Sequence, residues 1–262
     1  MRVPEGPSIV ILKEEVQPFI GRIVTRASGT AALDFKRIKG AKVLAFRSWG
    51  KHFLIEFPSF TVRIHFLLFG SYAINARKPR VAKLQLKFAK GEINFYACAI
   101  RTIEDSLDDV YDWSADVMSD LWDAAAARRK LRGNADTLAC DALLDQSIFS
   151  GVGNIIKNEV LFRIRVHPLS QIGSLPPAKL RALVEEARKY SFEFLTWKKA
   201  GVLKRHWLAH ARKTCPRCHI PFNLEELGKT RRRSFFCNNC QLLYAPRRSR
   251  LPRKQKQRPI AG

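Results

Sequence analysis

CPRCHIPFNLEELGKTRRRSFFCNNC, residues 215–240, is the stretch on which the reading of this chain turns. Its two Cys-x-x-Cys knuckles, Cys215/Cys218 and Cys237/Cys240, enclose eighteen intervening residues, a spacing at which four thiolates can close a tetrahedral Zn2+ site. A redox pair is the alternative, but two pairs at this separation favour structural zinc. His219 follows a complete four-sulfur set and is not needed as a ligand. The other two cysteines, Cys98 and Cys140, stand alone in apolar surroundings and are expected as small buried side chains, so the six do not make a disulfide framework. Between the knuckles, LGKTRRRSFF predicts a β-hairpin with Arg231, Arg232 and Arg233 at its tip. A guanidinium fork there suits a phosphate or an extruded nucleotide, although a solvated basic turn would carry the same residues.

Outward from the knuckles, the C-terminal side holds seven Lys or Arg after Cys240 and no acid, and its proline content argues against a fold. That bias belongs to the whole chain, whose 262 residues carry a formal charge of +24. Solubility does not require so much, so a polyanion is the expected partner, nucleic acid ahead of an acidic membrane surface. No apolar run approaches the roughly 18 residues of a spanning helix, and SIVIL is too soon followed by Lys13-Glu14-Glu15 for a signal peptide. A soluble, cytoplasmic, nucleoid-associated protein is expected.

On the N-terminal side, four segments have helical periodicity: DLWDAAAARRKL, TLACDALLDQSIF, NIIKNEVLFRI and PAKLRALVEEARKYSFEFLTW. Between the second and third lies Ser150-Gly151-Val152-Gly153-Asn154, where the glycines permit tight turning and the helix starting at Asn154 would offer free N–H groups to a DNA phosphate. An ordinary helix joint with an Asn cap would look similar. Residues 104–123 hold eight acids and no base, and are expected to form a solvated linker and helix start turned away from the partner.

From Gly21 to Ile103 the texture is β: RIVTRAS, KVLAFRSW, HFLIEF, TVRIHFLLF, AKLQLKFA and INFYACAI are short β-branched and aromatic runs split by Gly, Pro or charge. Several alternate, as in a two-layer sandwich with one wet face per sheet. SIVILKEEVQPFI before them predicts a helix, with Pro7 suited to its start. Lys51, after Trp49-Gly50, heads a strand. Leu67-Leu68-Phe69, ending at Gly70, reads first as core strand and more sharply as a loop that wedges into a DNA stack. At the N-terminus, Val3-Pro4-Glu5-Gly6-Pro7 brackets a glutamate with two prolines.

Four separated motifs in order (PEGP, a glycine-lysine entering a strand, LLDQ…GVGN, and a four-cysteine finger followed by Gln241) resemble the formamidopyrimidine-DNA glycosylase and endonuclease VIII family, over nearly the whole chain to about Gln241. The resemblance implies an α+β multidomain fold: an N-terminal helix plus β-sandwich catalytic domain (1–110), a helical domain with a helix-two-turn-helix motif (111–205), a zinc-finger β-hairpin (206–244) and a basic tail (245–262). It implies a monomeric bifunctional DNA glycosylase and AP lyase of base excision repair, bound to damaged double-stranded DNA in the cleft between the domains. Pro4 matches the family's nucleophile, whose amine attacks the sugar C1′ to form an iminium. An α-amine titrating near 8 supplies free base at neutral pH. Glu5 matches the acid/base glutamate, Lys51 the strand lysine on the phosphate backbone, Asn154 the asparagine that binds phosphates flanking the lesion, and Arg232 the finger arginine that clamps the flipped nucleotide. Leu67, Leu68 and Phe69 fall where the family fills the hole left by base flipping.

Three departures qualify this. A proline within a peptide bond has no lone pair for attack, and Arg2 is too large for methionine removal; the expectation is that Val3 is an alternative initiation codon, read as methionine and removed to expose Pro4. Ser8 stands where many members carry a glutamate, which would alter activity or substrate range. The insertion loop is unusually apolar, so hydrogen-bonded recognition of the opposite base through it is not expected. The PEGP start and clamp region resemble the endonuclease VIII side, favouring oxidised pyrimidines. A catalytically inactive, zinc-containing binder of damaged DNA is the alternative, and an RNA- or ribosome-associated zinc ribbon a third that leaves PEGP, Lys51 and GVGN unexplained.

Overall fold

The computed structural model describes residues 4–246, so the start at Val3 and nearly all of the basic tail lie outside it. Helix α1 (Gly6–Glu15) opens the fold with Pro in its first turn, which costs no hydrogen bond there. It is followed by β1 (Arg26–Ser28), α2 (Phe35–Ile38), β2 (Ala45–Trp49), β3 (His52–Phe57), β4 (Phe60–His65), β5 (Ser71–Ile74), β6 (Leu84–Lys87), β7 (Glu92–Tyr96) and β8 (Ala99–Ile103). These strands make two antiparallel four-stranded sheets, ordered β1-β6-β7-β5 and β2-β3-β4-β8. Phe53, Ile55, Val62 and Ile64 of one sheet pack on Leu84, Leu86, Ile93 and Phe95 of the other, with Ile9 and Leu12 of α1 closing the core. The expected sandwich is present.

Three details differ from the sequence reading. TVRIHFLLF does not run on as a strand: it leaves β4 at His65, Leu67 takes φ +53°, and the Gly70 N–H returns to the Phe66 carbonyl at 2.7 Å. The apolar triplet is therefore an exposed turn. INFYACAI is two strands in two sheets, broken where Ala97 adopts φ +49°, and the short β5 carries too little pattern to announce itself. The acid-rich stretch keeps Glu104, Asp105, Asp108, Asp109, Asp112 and Asp120 exposed, as expected, but it also packs: α3 (Leu107–Val110) lays Leu107 and Tyr111 on Leu54, the outward-facing residue of β3. Asp112 and Asp123 accept backbone N–H groups at helix starts, and Asp116 is buried.

The second unit holds α4 (Ala124–Gly133), α5 (Ala139–Ala142), α6 (Asn154–Arg163) and α7 (Pro177–Lys199) around Leu131, Phe149, Ile156, Val160, Leu183 and Tyr190. The segment TLACDALLDQSIF is helical only over α5. Asp145 turns its carboxylate to the Ser147 N–H and hydroxyl, the local competition that ends helices at such residues. Strands β9 (Asn223–Leu227) and β10 (Arg232–Phe236) form the hairpin between the cysteine knuckles. No helix among the described residues is long and apolar enough to cross a membrane.

Glycines bring the two units into contact. The Gly6 N–H donates to the Gly151 carbonyl at 2.9 Å, and a side-chain carbon on Gly6 would stand 2.9 Å from the Gly151 Cα. Gly50, at φ +53°, lies against Ser150 and gives its N–H to the buried Asp116 carboxylate at 2.9 Å.

Candidate functional site

Glu5 is the N-terminal cap residue of α1, yet its side chain does not cap that helix. It crosses to the other unit, where α6 begins at Gly153 with no cap side chain of its own. There the fully buried Glu5 carboxylate accepts the N–H groups of Gly153 (3.2 Å), Ile155 (2.8 Å) and Ile156 (3.2 Å). Any side chain at Gly153 would collide with this carboxylate at 2.5 Å, which gives that glycine its reason. The expectation that the helix start offers its free N–H groups to a DNA phosphate is thus corrected. The anion held at the positive end of α6 is the chain's own glutamate. Burial pushes the Glu5 carboxyl above the ordinary range, opposed by the Lys51 ammonium and the three N–H groups. A carboxyl raised in this way holds its proton more readily than an exposed glutamate, as an acid that hands a proton on requires.

Directly beside it, a cleft of about 500 Å³ is lined by Pro4, Lys51, Leu67, Leu68 and Arg232, together with Trp49, His52, His65, Phe66 and Gln146. Residues from both ends of the chain and from the β4–β5 turn therefore meet in one place. Lys51, just before β3, has its pKa lowered by burial and by the neighbouring Arg232, with Glu5 pulling the other way. His52 and His65 face one another across the β3–β4 register with ring centroids 5.4 Å apart. Burial and surrounding cations drive His52 down to about 4, so it stays neutral, its Nδ1 3.1 Å from the Tyr111 hydroxyl. His65 Nδ1 accepts the Leu67 N–H at 3.3 Å, fixing the root of the apolar turn. Leu67, Leu68 and Phe69 are 50%, 38% and 61% exposed, an outlay of apolar surface that wedge residues need and a core strand would not show.

Arg232 opens β10 rather than occupying the hairpin tip, and of the three consecutive arginines it alone lines the cleft. Its placement is held from two sides. The Asp141 carboxylate accepts the Lys229 N–H in the hairpin turn (2.9 and 3.1 Å). Asn154 Nδ2 (3.0 Å), Lys157 Nζ (3.3 Å) and Asn158 Nδ2 (3.3 Å), one face of α6, converge on the Arg233 carbonyl. Asn154 is therefore a brace between helix and finger, outside the cleft lining. Lys157 is completely buried, also donates to Ser234 Oγ at 2.8 Å, and is lowered to about 8 by burial.

Gln146 and Lys157 were missed as site residues by sequence reasoning. Gln146 belongs to the LLDQ motif, and its amide accepts the Gly151 N–H (3.1 Å) while donating to Val152 O (3.1 Å), which shapes the GVGN turn. His52 and His65 were findable, since pairing the strands about Pro58-Ser59 sets them opposite one another.

Cys215, Cys218, Cys237 and Cys240 place their sulfurs within 4.8 Å of one another, and Cys215 Sγ and Cys240 Sγ are 3.8 Å apart. The edge of a thiolate tetrahedron with metal–sulfur bonds of about 2.3 Å is about 3.8 Å, so the cluster fits a tetrahedral metal. His219 is exposed and outside it. Gln241 accepts the Cys237 N–H and donates to Val166 O, both 2.9 Å, bolting the knuckle to the helical unit. Cys98 and Cys140 are buried in the sandwich and helical cores, as expected.

The sequence model of the Formamidopyrimidine-DNA glycosylase H2TH domain matches residues 115–202. Endonuclease 8-like 3 of Xenopus laevis is 29% identical over 231 residues, covering 83% of this chain and 38% of that protein. Endonuclease 8-like 2 of Bos taurus is 33% identical over 195 residues (69% and 58%), and Formamidopyrimidine-DNA glycosylase of Acinetobacter baylyi is 25% identical over 272 residues (92% and 99%). The chain spans 33–38% of the length of the endonuclease 8-like 3 proteins it matches. Among solved structures, a viral DNA glycosylase superposes with TM-score 0.80 at 17% identity, covering 91% of this chain and all of that one. Lactococcus lactis formamidopyrimidine-DNA glycosylase, solved on DNA containing an abasic site, superposes with TM-score 0.79 at 19% identity, covering 90% and 99%. These likenesses fix the fold, and with the sequence matches they carry one conclusion: the chain belongs to the formamidopyrimidine-DNA glycosylase and endonuclease VIII family.

Proposed function

We propose that this chain is a bifunctional DNA glycosylase and AP lyase that removes oxidised bases, pyrimidines before purines, from double-stranded DNA. The observation that carries the reading is the meeting of Pro4, Lys51 and Arg232 in one cleft with Glu5 buried beside it. In this reading the Pro4 amine attacks the sugar C1′, the base departs with the C1′–N bond pair and takes up the proton the amine nitrogen gives up, and the nitrogen lone pair then expels the ring oxygen to give an iminium. Glu5 supplies the proton that the opening sugar oxygen takes up. β-Elimination and then δ-elimination release the two phosphates, whose charge Lys51 and Arg232 hold. Leu67 and Leu68 fill the space the everted nucleotide leaves. α5, the GVGN turn and α6 serve as the helix-two-turn-helix motif, and the four cysteines hold Zn2+, which stiffens the hairpin and takes no part in bond making. The protein is read as a monomer that works in the cytoplasm on nucleoid DNA.

The chemistry requires Pro4 to carry a free secondary amine. Borohydride trapping on an abasic-site duplex tests this, comparing full-length protein with protein processed to begin at Pro4. A covalent adduct with exposed Pro4 is expected. Tight binding with no adduct in either form would replace the enzyme by a binder of damaged DNA.

A further inference from the structure

Pro4 borders two chambers. The first is the cleft already described, whose polar side carries Lys51 and Arg232. The second, of about 340 Å³, shares Pro4 and Phe66 with the first and has Ile9, Ile11 and the Tyr72 ring as further apolar walls. A nucleophile that attacks C1′ needs this division, since the sugar-phosphate and the base leave C1′ in different directions. Lys51 and Arg232 in the first suit the phosphates, and the second, with ring-sized apolar walls and its own polar groups, suits a base.

The charged side chains that line the second chamber are of one sign. Lys78 and Lys198 line it, together with the hydroxyls of Ser8 and Ser71, and among the described residues no carboxylate does. Tyr72 turns its hydroxyl away to Glu15 (2.7 Å), and the Ser71 hydroxyl accepts from Arg80. Ser8 Oγ accepts from Lys198 Nζ at 2.8 Å, so the residue at the position where many family members have a glutamate instead seats an ammonium. α1 and α7 pack against one another and fix that pair.

We propose that this second chamber receives the everted base, and that Lys198, seated by Ser8, makes it select oxidised pyrimidine-2,4-diones of the thymine glycol kind over oxidised cytosines. The proposal rests on the reading of Pro4 as nucleophile. A dione turns carbonyl oxygens toward the ammonium, and as it departs its negative charge spreads onto those oxygens, where a cation held against them stabilises it. An oxidised cytosine turns an exocyclic amine, itself a donor, toward the same ammonium and leaves both unsatisfied.

The test is single-turnover excision on matched duplexes carrying thymine glycol or 5-hydroxycytosine, using the form of the protein that traps on an abasic site. One charged hydrogen bond is worth about tenfold or more in rate, so thymine glycol is expected to be excised at least about tenfold faster. Lys198→Met should bring the two rates to within about threefold. Ser8→Glu, which sets a carboxylate against the ammonium and leaves the lysine in place, should narrow the gap in the same way. Equal rates in the unsubstituted protein, or a tenfold gap that survives both substitutions, overturn the assignment. Abasic-site incision by the same samples separates the two levels: incision without discrimination removes only the pocket proposal, whereas no incision removes the glycosylase reading and the proposal with it.

Discussion

Glu5 has two roles that a single substitution pulls apart. Its carboxylate is the cap of α6 and, in the proposed reaction, the proton carrier. Glu5→Gln keeps one oxygen to accept N–H groups but turns an NH2 toward the others, so a loss of a few degrees in Tm is expected alongside a fall in abasic-site incision of about 10²–10³-fold. The pH dependence follows from the direction of the shift. Because the carboxyl is raised, its proton-carrying form persists above the ordinary glutamate range, and incision should fall as pH passes that raised value while it gains as the Pro4 amine deprotonates toward about 8. In Glu5→Gln the fall should vanish and the gain remain, which single-turnover rates from pH 4.5 to 8.5 would show. Arg232→Ala reports on binding instead: removing one cation from the cleft should weaken duplex binding by about tenfold and lower the salt slope by about one.

At the scale of elements, α6 is the part on which both halves of the site are built. Its N-terminus holds Glu5, and the face bearing Asn154, Lys157 and Asn158 holds the β10 carbonyl that follows Arg232. Lys157 is lowered to about 8 in the fold against about 10.4 in an open chain, so the unfolded chain binds more protons between those values and the lysine's contribution to stability rises with pH across that window. Lys157→Met lacks this, so the Tm of the unsubstituted protein minus that of the variant should grow from pH 7.5 to 9.5; a constant difference would refute it. The hairpin's other anchor is the cysteine cluster, whose own apolar support among the described residues comes to Phe162, Ala209 and a few partly buried neighbours. Chelating the metal should therefore abolish incision while far-UV circular dichroism keeps the signal of the sandwich and helical units. Much of this was legible in the sequence, because Pro4, Lys51, Arg232 and the cysteines each lie in a short motif whose chemistry is local. The Glu5 cap joins residues 148 to 151 positions apart and the Lys157 brace spans 77, and no periodicity carries such pairings. The same distance hid the burial of Asp116, read as solvated charge, whose carboxyl burial raises to about 6 even though the Gly50 and Met118 N–H groups it accepts pull it back down.

For the whole molecule, the proposed function divides the +24 charge between what reads a lesion and what holds any duplex. The cleft uses few of these charges, since Lys51 and Arg232 are the only Lys or Arg among its lining residues. The acids are also unevenly spent: Arg37, Arg77 and Arg163 are tied to Glu104, Glu92 and the Glu186/Glu193 pair, so these arginines are taken up within the fold. The residues after Cys240 add seven Lys or Arg and no acid to oppose them. Phosphate neutralisation releases counterions whatever the sequence, with about 0.9 of a unit of log–log salt slope per contact. Deleting residues 245–262 should therefore reduce the slope of duplex binding by up to about six units and weaken binding most at low salt. Lesion preference should not move, because the groups proposed to face the base belong to α1, α7, the β4–β5 turn, β5 and the loop that follows it. Competition between lesion-bearing and undamaged duplexes across a salt series measures both quantities at once. An unchanged slope would show that the tail stays off the DNA, and a changed preference would show that it reaches the base pocket.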